Sequence, residues 1–199
     1  MYTCGDNPRH YAVAMNKFDF QLLYEDYFGG VVGFSTAQYE NVNGCSNIYF
    51  GWGGEDDDLL VRVRQKNYTM VRYDVKTARY DMISHHRDKG NEENPLRIAL
   101  LKDAFRRQDS EGLRTTKYRV SKYRQERIYT WINVSLNRSD ILQTAPSYTL
   151  TLIIMELHKA MLRSSKHNKA KHETKKIIHQ KVNPPPSIFL QLHRSHSES

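Results

Sequence analysis

Apolar and polar residues alternate near the N-terminus of the chain. HYAVAMNKF (10–18) reads as a strand, and YFGGVVGF (27–34) as a second, with Gly29-Gly30 letting another backbone approach. Ser35-Thr36-Ala37-Gln38 has capping-box spacing, which predicts a helix over about 36–43 that stops at Asn43-Gly44. The period then changes. Leu59, Leu60 and Val63 share one face of a helix predicted over about 55–66, and YTMVRY (68–73) reads as a strand. Residues 81–95 have no period, are polar and end in proline, as a long binding loop does. A helix follows over about 95–107. In IYTWINVSL (128–136), Ile128, Ile132, Val134 and Leu136 fall on one side of a strand. The apolar run YTLTLIIM (148–155) is far shorter than the roughly 18–20 residues of a membrane helix and meets Glu156 and His158 at once, so it reads as a strand or a helix face.

Charge divides this chain of 199 residues. Residues 1–137 carry 20 Lys and Arg against 18 Asp and Glu, whereas residues 138–199 carry 10 against 4 together with six of the nine histidines. The formal charge of +8 therefore belongs mainly to the C-terminal part, which also contains Pro-Pro-Pro at 184–186 and reads as a mobile, solvated tail. Its charges are scattered without aromatic interleaving, so no nucleic-acid partner is expected. A hydrophobic content of 39% is enough to fill a core over the rest. Three N-x-[ST] tripeptides, at Asn67, Asn133 and Asn137, are candidate glycosylation sites and point toward a secretory route.

The densest chemistry lies at 50–58, FGWGGEDDD. One or two acids at a helix start stabilise the macrodipole by roughly 0.3–1 kcal/mol each. Four in succession force some to face one another or a cleft, where repulsion raises a pKa. Two glycines allow close approach of a ligand, and Tyr49, Phe50 and Trp52 offer flat apolar surfaces that complement a sugar ring or a base. Carboxylates beside an aromatic platform grip carbohydrate hydroxyls, and one can be the base that activates a hydroxyl. A calcium loop fits poorly, because the acids are contiguous rather than alternating.

YFGGV at Tyr27–Val31, GWGGEDDD at Gly51–Asp58, and M-x-x-H-x-R-D-K-G-N-E-x-N-P at Met82–Pro95 together resemble the beta-1,4-galactosyltransferase family over about residues 4–137. The resemblance implies an α/β fold of GT-A type, part of a mixed sheet flanked by helices, with residues 1–137 as catalytic region and 138–199 as a tail outside the match. It implies inverting transfer of galactose from UDP-galactose to the 4-hydroxyl of terminal N-acetylglucosamine or glucose, with Mn2+ as cofactor. By position, Asp56 matches the general base. Glu55 and Asp57 match hydroxyl-binding carboxylates, and Trp52 a mobile tryptophan over the donor with Gly54 beside it. Tyr24, Tyr27 and Tyr49 match aromatics of the sugar sites. Met82 and His85 match two metal ligands. Arg97, Ile98 and Leu101 match acceptor-side contacts on a loop, about 84–103, that closes over donor. Tyr27, rather than a smaller aliphatic residue, implies galactose over N-acetylgalactosamine.

The resemblance also implies what lies outside these residues: an Asp-x-Asp metal ligand, the uridine-binding half, and an N-terminal anchor that would place the protein in the Golgi lumen. Cys4 matches a cysteine whose partner lies in that half, so it is expected to be unpaired. Phe50 stands where tryptophan is common in the family, Ile98 where an aromatic residue is common, and Cys45 where proline is more usual. The 199 residues alone are expected to fold poorly and to show no turnover.

Overall fold

The computed structural model describes residues 5–84, 86 and 89–182, with side chains up to residue 165. Within it the chain divides into two compact units after Leu157. Three short strands make a mixed sheet in the order β3-β1-β4, from β1 (Arg9–His10), β3 (Val32–Gly33) and β4 (Val71–Arg72). β1 is antiparallel to β3 and parallel to β4. A second parallel pair joins β2 (Ala14–Met15) to β5 (Arg79–Tyr80). The strands expected at 10–18 and 27–34 are thus present only as two-residue segments. The cause at 10–18 is local: Val13 N–H turns back to Tyr11 O, and a 3-10 turn at Asn16–Phe18 ends the extended run.

Helix α1 (Thr36–Asn41) begins in the predicted capping box, with Gln38 N–H donating to Ser35 Oγ at 3.2 Å and Ser35 N–H to Gln38 Oε1 at 2.9 Å. Helix α2 (Glu55–Gln65) lies within the predicted span. Its Leu59, Leu60 and Val63 pack with Phe28 and Val42 into one apolar cluster, backed by Val32, Phe34, Tyr68 and Met70. The helix expected over 95–107 is two, α3 (Arg97–Lys102) and α4 (Ala104–Arg107), interrupted at Asp103. The Asp103 carboxylate accepts the Thr149 hydroxyl at 2.9 Å, a tie the local sequence does not announce.

The C-terminal expectation needs correcting. Residues past 137 are not simply a mobile tail, because α5 (Arg138–Leu142) and α6 (Ser147–Val182) follow. Ala145 and Ile153, with Leu142, Leu150 and Leu157, join Ile48, Leu96 and Leu100 in a second apolar cluster. The first compact unit accordingly runs to Leu157 rather than ending at 137. YTLTLIIM is a helix face, since Leu150, Ile153 and Leu157 recur at three- and four-residue spacing. No helix among the described residues is long and apolar enough to cross a membrane.

The strand expected at 128–136 is β7 (Thr130–Ser135), hairpinned against β6 (Arg119–Gln125) with a bulge between Val120 and Lys122. Ile132 and Val134 do share a face, opposite Tyr123 and Val120, but that face is solvent-exposed rather than core. Asn67, Asn133 and Asn137 are all exposed, and Asn137 Oδ1 caps α5 by accepting Ser139 N–H at 2.9 Å.

Candidate active site

Gly54 caps α2 in the left-handed conformation (φ 88°), and a Cβ there would crowd Tyr49 Cε1 at 3.1 Å and Arg97 Cβ at 3.3 Å. The turn is held by its partner loop: Trp52 N–H donates to Glu92 O at 2.8 Å, and Asn94 N–H to Trp52 O at 2.9 Å. This pairing brings the polar 81–95 stretch against the acidic helix start.

Between them is a cavity of about 490 Å³. Tyr24, Tyr27, Trp52, Gly54, Glu55, Asp56, Asp57, Met82, Arg97, Ile98 and Leu101, all singled out from the sequence, line it. Eleven scattered positions thus converge on one cavity, whose volume falls in the usual range for small-molecule sites. Two expected positions stand apart. Tyr49 does not line the cavity, because its hydroxyl donates to Asp58 Oδ2 at 3.1 Å and the buried guanidinium of Arg107 lies 3.2 Å away. His85 lies outside the described residues. Met15, Lys17, Phe18 and Leu23 also line the cavity and were not anticipated. Met15 ends β2, Lys17 and Phe18 lie in the 3-10 turn that follows, and Leu23 lies beyond it, where nothing in the sequence marks a ligand contact.

The four acids divide by environment. Burial raises the Asp56 pKa above the ordinary carboxylate range, and the neighbouring charges of Asp57 and Glu55 add to the shift. Asp57 Oδ1 accepts the Tyr24 hydroxyl at 2.7 Å. Glu55 is exposed and accepts Gly53 N–H at 2.9 Å. Asp58 is not a helix-start ornament: it is fully buried, accepts Arg62 Nε–H at 2.8 Å, and is ion-paired to Arg107. Arg62 reaches on to Glu111, also fully buried. Only three of the acids therefore face the cavity. Burial also raises the Tyr24 and Tyr27 phenols, with Asp57 and Asp56 contributing, so both stay neutral at physiological pH.

Gly29 sets how closely the Tyr27 segment approaches Asp56. A Cβ there would lie 2.5 Å from Asp56 Oδ2 and 2.8 Å from the Tyr27 ring. Gly29→Ala is expected to displace the Asp56 side chain and destabilise the chain by about 1–3 kcal/mol. Urea denaturation checks the loss, and a change below the error of the midpoint would refute the close packing.

Manganese finds incomplete support among these side chains. Met82 lines the cavity, but among the described residues no three His, Cys, Asp or Glu side chains gather as a metal-binding group. A thioether alone does not hold a hard, oxygen-preferring cation. The described residues thus do not themselves make a manganese centre. Cys45 is a free, exposed cysteine, and Cys4 lies outside the described residues.

Comparison with known proteins gives this geometry a family. A family model described as the N-terminal domain of galactosyltransferase matches residues 9–86. Beta-1,4-galactosyltransferase 2 of Cricetulus griseus is 44% identical over 138 residues, covering 69% of this chain and 37% of that protein. Beta-1,4-galactosyltransferase 4 of Rattus norvegicus is 43% identical over 134 residues, covering 67% and 39%. The chain thus spans well under half the length of these relatives. Among solved structures, the catalytic domain of Drosophila beta-1,4-galactosyltransferase 7 in complex with xylobiose aligns with TM-score 0.51 and 27% identity, over 69% of this chain and 60% of that one. A mutant of the same enzyme in complex with manganese, UDP-Gal and xylobiose aligns with TM-score 0.52 over the same shares. The glycine turn, the acidic helix start and the cavity they border are those of a chain that belongs to the beta-1,4-galactosyltransferase family.

Proposed function

We propose that the cavity is the catalytic and acceptor side of an inverting galactosyltransferase that moves galactose from UDP-galactose to the 4-hydroxyl of a terminal N-acetylglucosamine or glucose, in the Golgi lumen. The observation that carries the reading is Asp56, a desolvated carboxylate at a cavity wall between two further acids and beside exposed Trp52. Its carboxylate accepts the proton of the acceptor O4–H. O4 then forms its bond to the galactose anomeric carbon from the face opposite UDP, whose oxygen leaves with the electron pair of the breaking bond. Glu55 and Asp57 bind sugar hydroxyls, and Tyr24, held by Asp57, presents its ring edge to Tyr27 at 5.4 Å between centroids. Arg97, Ile98 and Leu101 form the acceptor wall, and Arg97 is anchored by an ion pair to Glu93. Manganese belongs to the proposal through Met82 and His85, supported by the neighbour described with manganese and UDP-Gal. When bound it would offset the charge of the departing diphosphate.

The test is a chimera in which this chain replaces the matched 138-residue span of the Cricetulus griseus relative. Transfer from labelled UDP-galactose to N-acetylglucosamine is expected; a folded chimera without transfer would overturn the reading. Offered UDP-galactose and UDP-N-acetylgalactosamine together, it is expected to move galactose, because Tyr27 puts a bulky ring at the cavity wall where a smaller residue would leave room for an acetamido group. Preferential movement of N-acetylgalactosamine would reject that role for Tyr27. A second reading is a carbohydrate-binding module that holds acceptor without catalysis, for which the aromatic and acidic lining of the cavity suffices. Acceptor binding by saturation-transfer NMR, with no transfer by the chimera, would select it.

A further inference from the structure

His10 is a fully buried histidine at the centre of the three-stranded sheet, and the proposed chemistry does not use it. Arg72 Nε–H donates to His10 Nδ1 at 3.0 Å. That contact fixes the tautomer, so His10 Nε2–H donates to Gly29 O at 2.9 Å. The same guanidinium sends Nη2–H to Tyr27 O at 2.6 Å. Two side chains from adjacent strands thus grip two carbonyls of one short segment, Tyr27–Phe28–Gly29. That segment is the wall packed against Asp56, with no room even for a Cβ at Gly29. The His10 ring also meets the Tyr27 ring edge-on, with centroids 5.4 Å apart.

We propose that His10 and Arg72 are a positioning pair for the candidate site, holding the Tyr27–Gly29 backbone at the distance that keeps Asp56 desolvated and Tyr27 in the sugar cavity. The proposal rests on the reading of Asp56 as the reacting carboxylate. The pair works only with neutral imidazole, since a proton on Nδ1 would oppose the Arg72 donor. Burial first, and the Arg72 charge in addition, lower the His10 pKa to about 4, so the clamp is intact at neutral pH.

The experiment is a titration of the Asp56 carboxyl by carbon-13 NMR in the chimera, read beside its thermal midpoint. The wild-type midpoint is expected above the ordinary value of about 3.9. Arg72→Gln and His10→Ala loosen the wall, admit water to Asp56 and move its midpoint back by about half a unit or more. His10→Gln, which keeps a donor for Gly29 O and an acceptor for Arg72, is expected to restore the wild-type midpoint. In the chimera, Arg72→Gln is expected to lower kcat by about tenfold or more with a smaller change in acceptor KM. An unmoved Asp56 midpoint in folded Arg72→Gln, with only the thermal midpoint reduced, would show a purely structural role. Should His10→Ala fail to fold, Arg72→Gln alone decides the matter. A wild-type chimera without transfer would count against the galactosyltransferase reading, while the Asp56 titration would still decide the positioning role.

Discussion

Replacing Asp56 by Asn is expected to lower galactosyl transfer by the chimera by about 10²–10⁴-fold, the usual worth of a positioned general base. Acceptor binding should persist, because Glu55, Asp57 and the aromatic wall remain. The acid limb of the wild-type rate profile should lie above the ordinary carboxylate range, since burial and the adjacent acids raise the Asp56 pKa. The same shift fixes the sign for stability. A carboxyl whose folded pKa exceeds its unfolded value stabilises the fold at low pH, and that contribution is lost as pH rises through the folded value. At neutral pH the native chain therefore carries a penalised charge, so Asp56→Asn is expected to be at least as stable as wild type. A variant both inactive and clearly less stable in urea would mark Asp56 as a structural acid instead.

Two residues along the same helix, the expectation reverses. Asp58→Ala strands the fully buried guanidinium groups of Arg62 and Arg107, leaving them Glu111 as their remaining carboxylate partner. Breaking such a buried pair typically costs about 3–5 kcal/mol. The loss should appear as a large fall in the urea midpoint, and also in Arg107→Ala, which leaves the charge of Asp58 less compensated. Because both variants remove parts of one network, the double variant should cost much less than the sum of the two. Additive losses, or a cost under about 1 kcal/mol for Asp58→Ala, would show that the network is not coupled. With the expected losses, two acids of one motif differ in kind, Asp56 decreasing stability for chemistry and Asp58 sustaining the core.

The sequence made α1 and α2 legible because their signals are local: a capping box, a glycine stop, and apolar residues at helical spacing. The cavity was legible through motif resemblance, which named eleven of its lining residues. What stayed hidden depends on long-range pairing. The buried role of Asp58 depends on Arg107, forty-nine positions away, and on Arg62, which reaches Glu111 at the same separation. Tyr49 left the expected sugar site for the same reason. The His10–Arg72 pair spans sixty-two positions and carries no local pattern. Beyond residue 137 only YTLTLIIM was legible, as a strand or a helix face, because basic composition masked the three-and-four spacing of apolar residues around it.

Helix α3, which presents Arg97, Ile98 and Leu101 to the cavity, rests through Leu96 and Leu100 on Ala145, Ile153 and their neighbours. The proposed acceptor wall is thereby underlain by a segment that touches no substrate in the proposed reaction. Substitutions in that segment offer selection a way to retune sugar preference by tilting the wall from beneath, while every residue of the acidic motif stays as it is. Divergence in specificity within such a lineage would then be recorded in its C-terminal helices before it reached the cavity itself.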